Sequence, residues 1–81
     1  MPTVLRVSGC RFYFHSHEPW EPPHIHVDRA EFSAKFWLDP VSLARNFGFN
    51  PRELRALQSL VEERQAELLE AWHGHFGRQR G

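Results

Sequence analysis

Apolar residues recur at every second position through the first half of the chain and at every third or fourth position through the second. Thr3 to Val7 is apolar and β-branched, Ser8-Gly9 offers a two-residue turn, and Cys10 to His15 alternates as a returning strand. His24 to Val27 alternates again, Asp28 to Glu31 reads as a turn, and Phe32 to Leu38 forms a fourth strand. Between the second and third strands, Ser16 to Pro23 carries Pro19, Pro22 and Pro23. Proline cannot donate to a sheet ladder, so this stretch is a loop.

Helix signals dominate the second half. Asp39 can cap a short helix with Pro40 at its first position and Gly48 just past its end. Asn50 caps a longer one. Pro51 stands at its first position, Glu53 can close a capping box, and Phe49 with Leu54 has the spacing of a hydrophobic staple. Leu54, Leu57, Val61, Leu68 and Trp72 form an apolar stripe, interrupted by Arg64, that carries the helix to about Trp72 or His75. Gly77 to Gly81 reads as a frayed tail. The pattern predicts a single α+β domain over residues 1–81. Its antiparallel sheet of about four strands is packed on one face by a short and a long C-terminal helix.

Alternation sorts the sheet into two faces. Leu5 opposite Phe12 and Val7 opposite Cys10, then Phe12 opposite Val27 and Phe14 opposite Ile25, then Val27 opposite Phe32 and Ile25 opposite Ala34, collect one apolar face with Phe36 and Leu38. The other face collects Arg6, Arg11, Tyr13, His15, His24, His26, Ser33, Lys35 and Trp37. An ordinary solvated face carries more Thr, Glu, Lys and Gln.

Composition narrows the classes. Ten basic and ten acidic residues cancel, so bulk charge points to neither nucleic acid nor membrane. Nine of the ten bases are arginine, which suits phosphate or carboxylate recognition but also follows from biased codon usage. The single Cys10 permits no internal disulfide and no cysteine-rich zinc motif, and reads as a small core residue. No long apolar run opens the chain, so no signal peptide or membrane span is expected, and a reducing cytoplasmic setting is the default.

Three readings of the polar face stay open. His24 and His26, two apart on a strand, can supply two ligands to a divalent metal such as zinc, with His15, His17 or Glu21 completing the set. Alternatively the face performs acid–base chemistry without metal. His24, His26, His15, Tyr13 and Lys35 are then the catalytic candidates, Arg11 and Arg6 stabilise phosphoryl charge, and Tyr13 and Trp37 stack on the bases of single-stranded RNA. The third reading is a non-enzymatic packing or interaction surface, with Trp20 as a partner anchor and Trp37 favouring a homodimer if exposed. Glu18 and Glu21 are loop carboxylates that serve as ligands, as a general base or simply as solvated groups. His73 and His75 suit the negative end of the helix dipole.

Glu21-Pro22-Pro23-His24-Ile25-His26-Val27, Ala34-Lys35-Phe36-Trp37-Leu38, Gly48-Phe49, Glu70-Ala71-Trp72-His73 and Phe76-Gly77 together resemble a family of small prokaryotic proteins, domain of unknown function 4160. Where many of its members place Asp-His directly before the prolines, this chain carries Ser16-His17-Glu18-Pro19-Trp20-Glu21. The resemblance implies one half of a toxin–antitoxin-like two-gene module, with a small protein partner encoded nearby. It adds weight to RNA contact or cleavage by the histidine face, and equally to a regulatory role.

Overall fold

The computed structural model describes residues 3–14 and 20–77. Five strands form one antiparallel meander in chain order: β1 Thr3–Val7, β2 Cys10–Tyr13, β3 His24–Arg29, β4 Phe32–Leu38 and β5 Val41–Phe47. Two helices come after them, α1 Pro51–Glu63 and α2 Gln65–Gly77. The α+β class and the antiparallel sheet are as the residue pattern predicts.

The two faces also separate as alternation requires. Cys10, Phe12, Phe14, Ile25, Val27, Ala34, Phe36 and Leu38 are buried on one side, where Phe49, Leu57, Val61, Leu68 and Trp72 cover them. At the β1–β2 turn, Ser8 and Gly9 both take positive φ (51° and 78°), the twist a two-residue hairpin loop needs. Leu5 therefore meets Phe12 and Val7 meets Cys10.

Three local expectations are corrected. The third hairpin turns on Ala30 and Glu31 alone, because β3 runs on to Arg29. Val27 thus pairs with Ala34 and Ile25 with Phe36, two residues from the expected register. A shift of two preserves the parity of side chains, so the faces survive it. The segment after Asp39-Pro40 is not a short helix but β5, which pairs along β4 from Leu38↔Val41 to Ser33↔Phe47. Asp and Pro are turn residues as much as helix starters, and the seven-residue β4 offers an edge on which this segment satisfies its backbone.

The long helix is divided at Arg64. That residue caps α1 with φ −109° and ψ 18°, the same arginine that interrupts the apolar stripe. The Arg64 N–H donates to Leu60 O (3.1 Å) and the Leu68 N–H to Arg64 O (2.9 Å), so α-type bonds continue on both sides of the break. Gln65 Nε2 donates to the carbonyl of Leu38 (2.7 Å), fastening the break to the end of β4. At the start of α1, Asn50 and Glu53 complete the capping box and Pro51 occupies the first turn, as predicted.

Candidate functional site

Register places the polar side chains in rows that cross the sheet. Residues directly opposite one another in antiparallel strands share a face. The central row is Tyr13, His26, Lys35, Arg45, one residue from each of β2 to β5. On one side of it run Arg6, Arg11, Asp28, Ser33 and Phe47. On the other run His24, Trp37 and Ser42.

Two members of these rows, Arg45 and Phe47, were not among the sequence candidates. Val41 and Leu43 pair with Leu38 and Phe36, and so lie on the core side of the sheet. The β4–β5 register then shifts between Lys35 and Phe36, leaving Ala44 unpaired as a bulge. A bulge inserts one residue and reverses the parity of the strand beyond it. Asn46 consequently falls beside core-facing Ala34, whereas Arg45 and Phe47 turn to the polar face. The Asn46 side chain holds this exit by donating to Phe49 O (3.0 Å) and accepting from the Phe49 N–H (3.2 Å). Phe47 is 63% exposed.

The face is less open than alternation alone suggests. His24 is 1% exposed, Lys35 7%, and Tyr13 is buried as well. The Glu21 segment accounts for part of this. Lys35 Nζ donates to Glu21 Oε1 at 2.6 Å, and the ammonium lies 4.7 Å from the Trp37 ring centroid. His24 Nδ1 donates to the Pro22 carbonyl at 2.9 Å and sits 3.7 Å from the same Glu21 oxygen. Donation from Nδ1 assigns the neutral ring's lone pair to Nε2. Edge-on contacts with Trp37 (5.8 Å between centroids) and His26 (5.1 Å) fix the His24 ring further.

Tyr13 stacks on His26 with centroids 5.4 Å apart and donates its hydroxyl to Asp28 Oδ2 at 3.0 Å. Arg11 lies over the Tyr13 ring (4.5 Å) and 3.8 Å from that carboxylate oxygen. Burial pushes the Tyr13 phenol above its ordinary range, and the neighbouring Asp28 carboxylate adds to the effect. Tyr13 is thus held neutral. His26 keeps partial access to solvent. Among the described residues Arg45 makes no ion pair, whereas Lys35 and Arg11 each lie against a carboxylate of the chain. Tyr13, His26, Ser33, Lys35, Arg45 and Phe47 line a hollow of about 200 Å³.

Tyr13, His24, His26, Lys35 and Trp37 therefore come together as the sequence predicts, with Arg11 and Arg6 along the neighbouring row. Trp20 stands apart from this cluster, 75% exposed in the proline segment. His15, His17 and Glu18 lie outside the described residues, as does the tail beyond Gly77. Among the described residues no group of three or more His, Cys, Asp or Glu side chains could hold a metal ion. Of the metal candidates, His24 and His26 adjoin each other, while the Glu21 carboxylate is engaged by Lys35. Among the described residues no helix is long and apolar enough to cross a membrane.

The family model described as domain of unknown function (DUF4160) matches residues 9–73. The chain belongs to this family. The match begins in the β1–β2 turn and runs to the residue after Trp72, so the DUF4160 unit contains all three rows of the polar face apart from Arg6. No curated protein and no solved structure matches the chain.

Proposed function

We propose that the polar face of the sheet binds single-stranded RNA through its own cations and aromatic rings. The observation that carries this reading is the hollow beside Phe47. Arg45, the cation of the central row not matched by a carboxylate of the described chain, lines it together with His26, Tyr13 and Ser33, and an exposed phenyl ring stands at its border. A guanidinium for phosphate beside an uncommitted aromatic surface for a base is the pairing that single-strand recognition uses. The neutral charge of the whole chain suits this division of labour, because attraction is confined to one face. His26, partly exposed and stacked on Tyr13, is the imidazole of the pair that a 2′-hydroxyl can reach. His24, buried in the adjoining row, packs edge-on against His26. We place this binding in a toxin–antitoxin-like two-gene setting, as the family resemblance implies, with a small protein encoded alongside as the partner.

Fluorescence anisotropy with a labelled oligoribonucleotide tests the reading. Phe47→Ala removes a stacking platform worth about 1–3 kcal/mol per base. Arg45→Ala removes one phosphate contact and flattens the dependence of log K on log salt by about 0.7. Both positions are exposed, so both variants keep the fold. A wild-type protein that does not bind RNA at low salt, or variants that bind as wild type, would refute the proposal. Cleavage is read in the same tubes with EDTA present. Cleavage that persists in EDTA and is lost in His26→Ala makes His26 catalytic, and intact RNA leaves the face a binding surface. Co-purification with the product of the adjacent gene tests the two-gene setting.

A further inference from the structure

Lys35 occupies the centre of the polar face, yet its charge is cancelled from within. Its side chain lines the same hollow as that of Arg45, the residue directly across from it on the neighbouring strand. The carboxylate that neutralises it does not come from the sheet. Glu21 belongs to the irregular segment before β3 and reaches over to Lys35 at 2.6 Å. Two residues on, the segment is fastened to the sheet, where the Leu38 N–H donates to the Pro23 carbonyl at 3.0 Å. On its other side stands the exposed Trp20. Glu21 therefore extends outward from a fixed backbone point, with a partly exposed side chain over a lysine that is itself almost fully covered.

A buried ammonium requires an opposite charge, but nothing in that requirement demands a carboxylate of the same chain. With Glu21 swung away, Lys35 and Arg45 would flank the hollow as two cations one strand spacing apart, about 5 Å in backbone terms. That arrangement suits a phosphate group. We propose that Glu21 is a built-in stand-in for phosphate: it holds Lys35 in the unliganded protein and is displaced when a phosphate enters between Lys35 and Arg45. This deepens the RNA-binding reading and rests on it.

The test uses the full chain, a labelled oligouridylate of about ten nucleotides, and three proteins: wild type, Glu21→Gln and the double variant Glu21→Gln/Lys35→Gln. Glu21→Gln is expected to bind about fivefold more tightly at moderate salt and to steepen the salt dependence by about 0.7, one added phosphate contact. The double variant is expected to lose both gains. Equal or weaker binding by Glu21→Gln, alongside wild-type RNA binding, would overturn the stand-in and leave the RNA reading intact. Inorganic phosphate supplies the separate arm, read from the Trp37 indole resonance beside Lys35. A shift in both proteins that sets in at lower phosphate in Glu21→Gln than in wild type, with no RNA bound by either, would retain the anion site and remove the RNA reading, whereas a shift in Glu21→Gln alone would overturn the displacement. No shift and no RNA binding would remove both. Should Glu21→Gln fail to fold, Glu21→Asp replaces it. The shorter carboxylate draws back from Lys35, so an unchanged affinity in that variant also overturns the proposal.

Discussion

Gly48 joins β5 to the helical half, and replacing it with alanine should be among the most damaging single-methyl changes in the chain. Its φ is +100°, in the region where an L side chain is strained. A Cβ built there would stand 2.3 Å from Phe32 Cδ1, 2.9 Å from Cε1 and 3.0 Å from Cγ. Ordinary carbon contacts lie near 3.5–4.0 Å, so roughly 1 Å of overlap must be relieved. The Phe32 ring has little freedom to give way, because it packs edge-to-face on buried Phe49 with centroids 5.6 Å apart. Backbone strain of about 1–2 kcal/mol adds to overpacking of about 1–3 kcal/mol, for a loss of about 2–5 kcal/mol. For a domain of this size that lowers Tm by about 10–30 °C. Urea unfolding followed by circular dichroism should show the midpoint fall with an unchanged slope. Gly74→Ala is the matched control. It lies within α2 with nothing inside 4 Å of its added methyl, and should gain about 0.5–1 kcal/mol from helix propensity alone. A loss below about 1 kcal/mol in Gly48→Ala would refute the clash with Phe32 and show that the loop relaxes around it.

Three further predictions concern groups that brace the fold and the site. Asn50→Ala should cost about 1 kcal/mol by removing the cap of α1. The Asn50 backbone N–H first, and then the Arg29 guanidinium, hold the Glu53 carboxyl below its ordinary value of 4.5. Its stabilising effect is therefore complete above that value and lost as pH falls through the depressed one. Glu53→Gln should flatten the acid limb of the stability profile, and an unchanged limb would count against the assignment. Tyr13, the single tyrosine of the chain, should titrate above 10 because burial first, and then Asp28, favour its neutral form. That stabilisation is present below pH 10 and disappears as pH rises through the raised value. Phenolate absorbance should appear at higher pH in native than in urea-unfolded protein, and Asp28→Asn should bring the two closer. Coincident native and unfolded titrations would overturn the Tyr13–Asp28 account.

The faces of the sheet were legible because parity is robust. Phe12, Ile25, Val27, Ala34 and Phe36 belong to one set under either register of the third hairpin, since the observed pairing differs from the expected one by two residues. The identity of β5 was not legible, because Asp39-Pro40 with Gly48 satisfies the boundary rules of a short helix and of a turn-flanked strand alike. What decides between them is non-local. β4 carries fully buried Phe36 and Leu38, and an added strand satisfies its outer edge. The division of the long helix was half visible: Arg64 marked the flaw in the apolar stripe, but its fastening through Gln65 to Leu38 O depends on where β4 ends.

At the site, the grouping of Tyr13, His24, His26, Lys35 and Trp37 comes from alternation, whereas the burial of His24 and Lys35 does not. Alternation assigns a side chain to a face, not a cover to that face. Here Glu21 engages Lys35 and the Pro22 carbonyl engages His24 from a segment whose prolines announce only a loop. Arg45 and Phe47 were hidden by the bulge, yet one trace of it was present. Val41, Leu43, Arg45 and Phe47 share a parity. Read as an uninterrupted strand, they would direct a guanidinium toward the apolar side along with Val41 and Leu43. An unpaired charge there is costly enough to require either an edge position or a reversal of parity. The chain uses both, and the reversal delivers the cation and ring on which the proposed binding face depends.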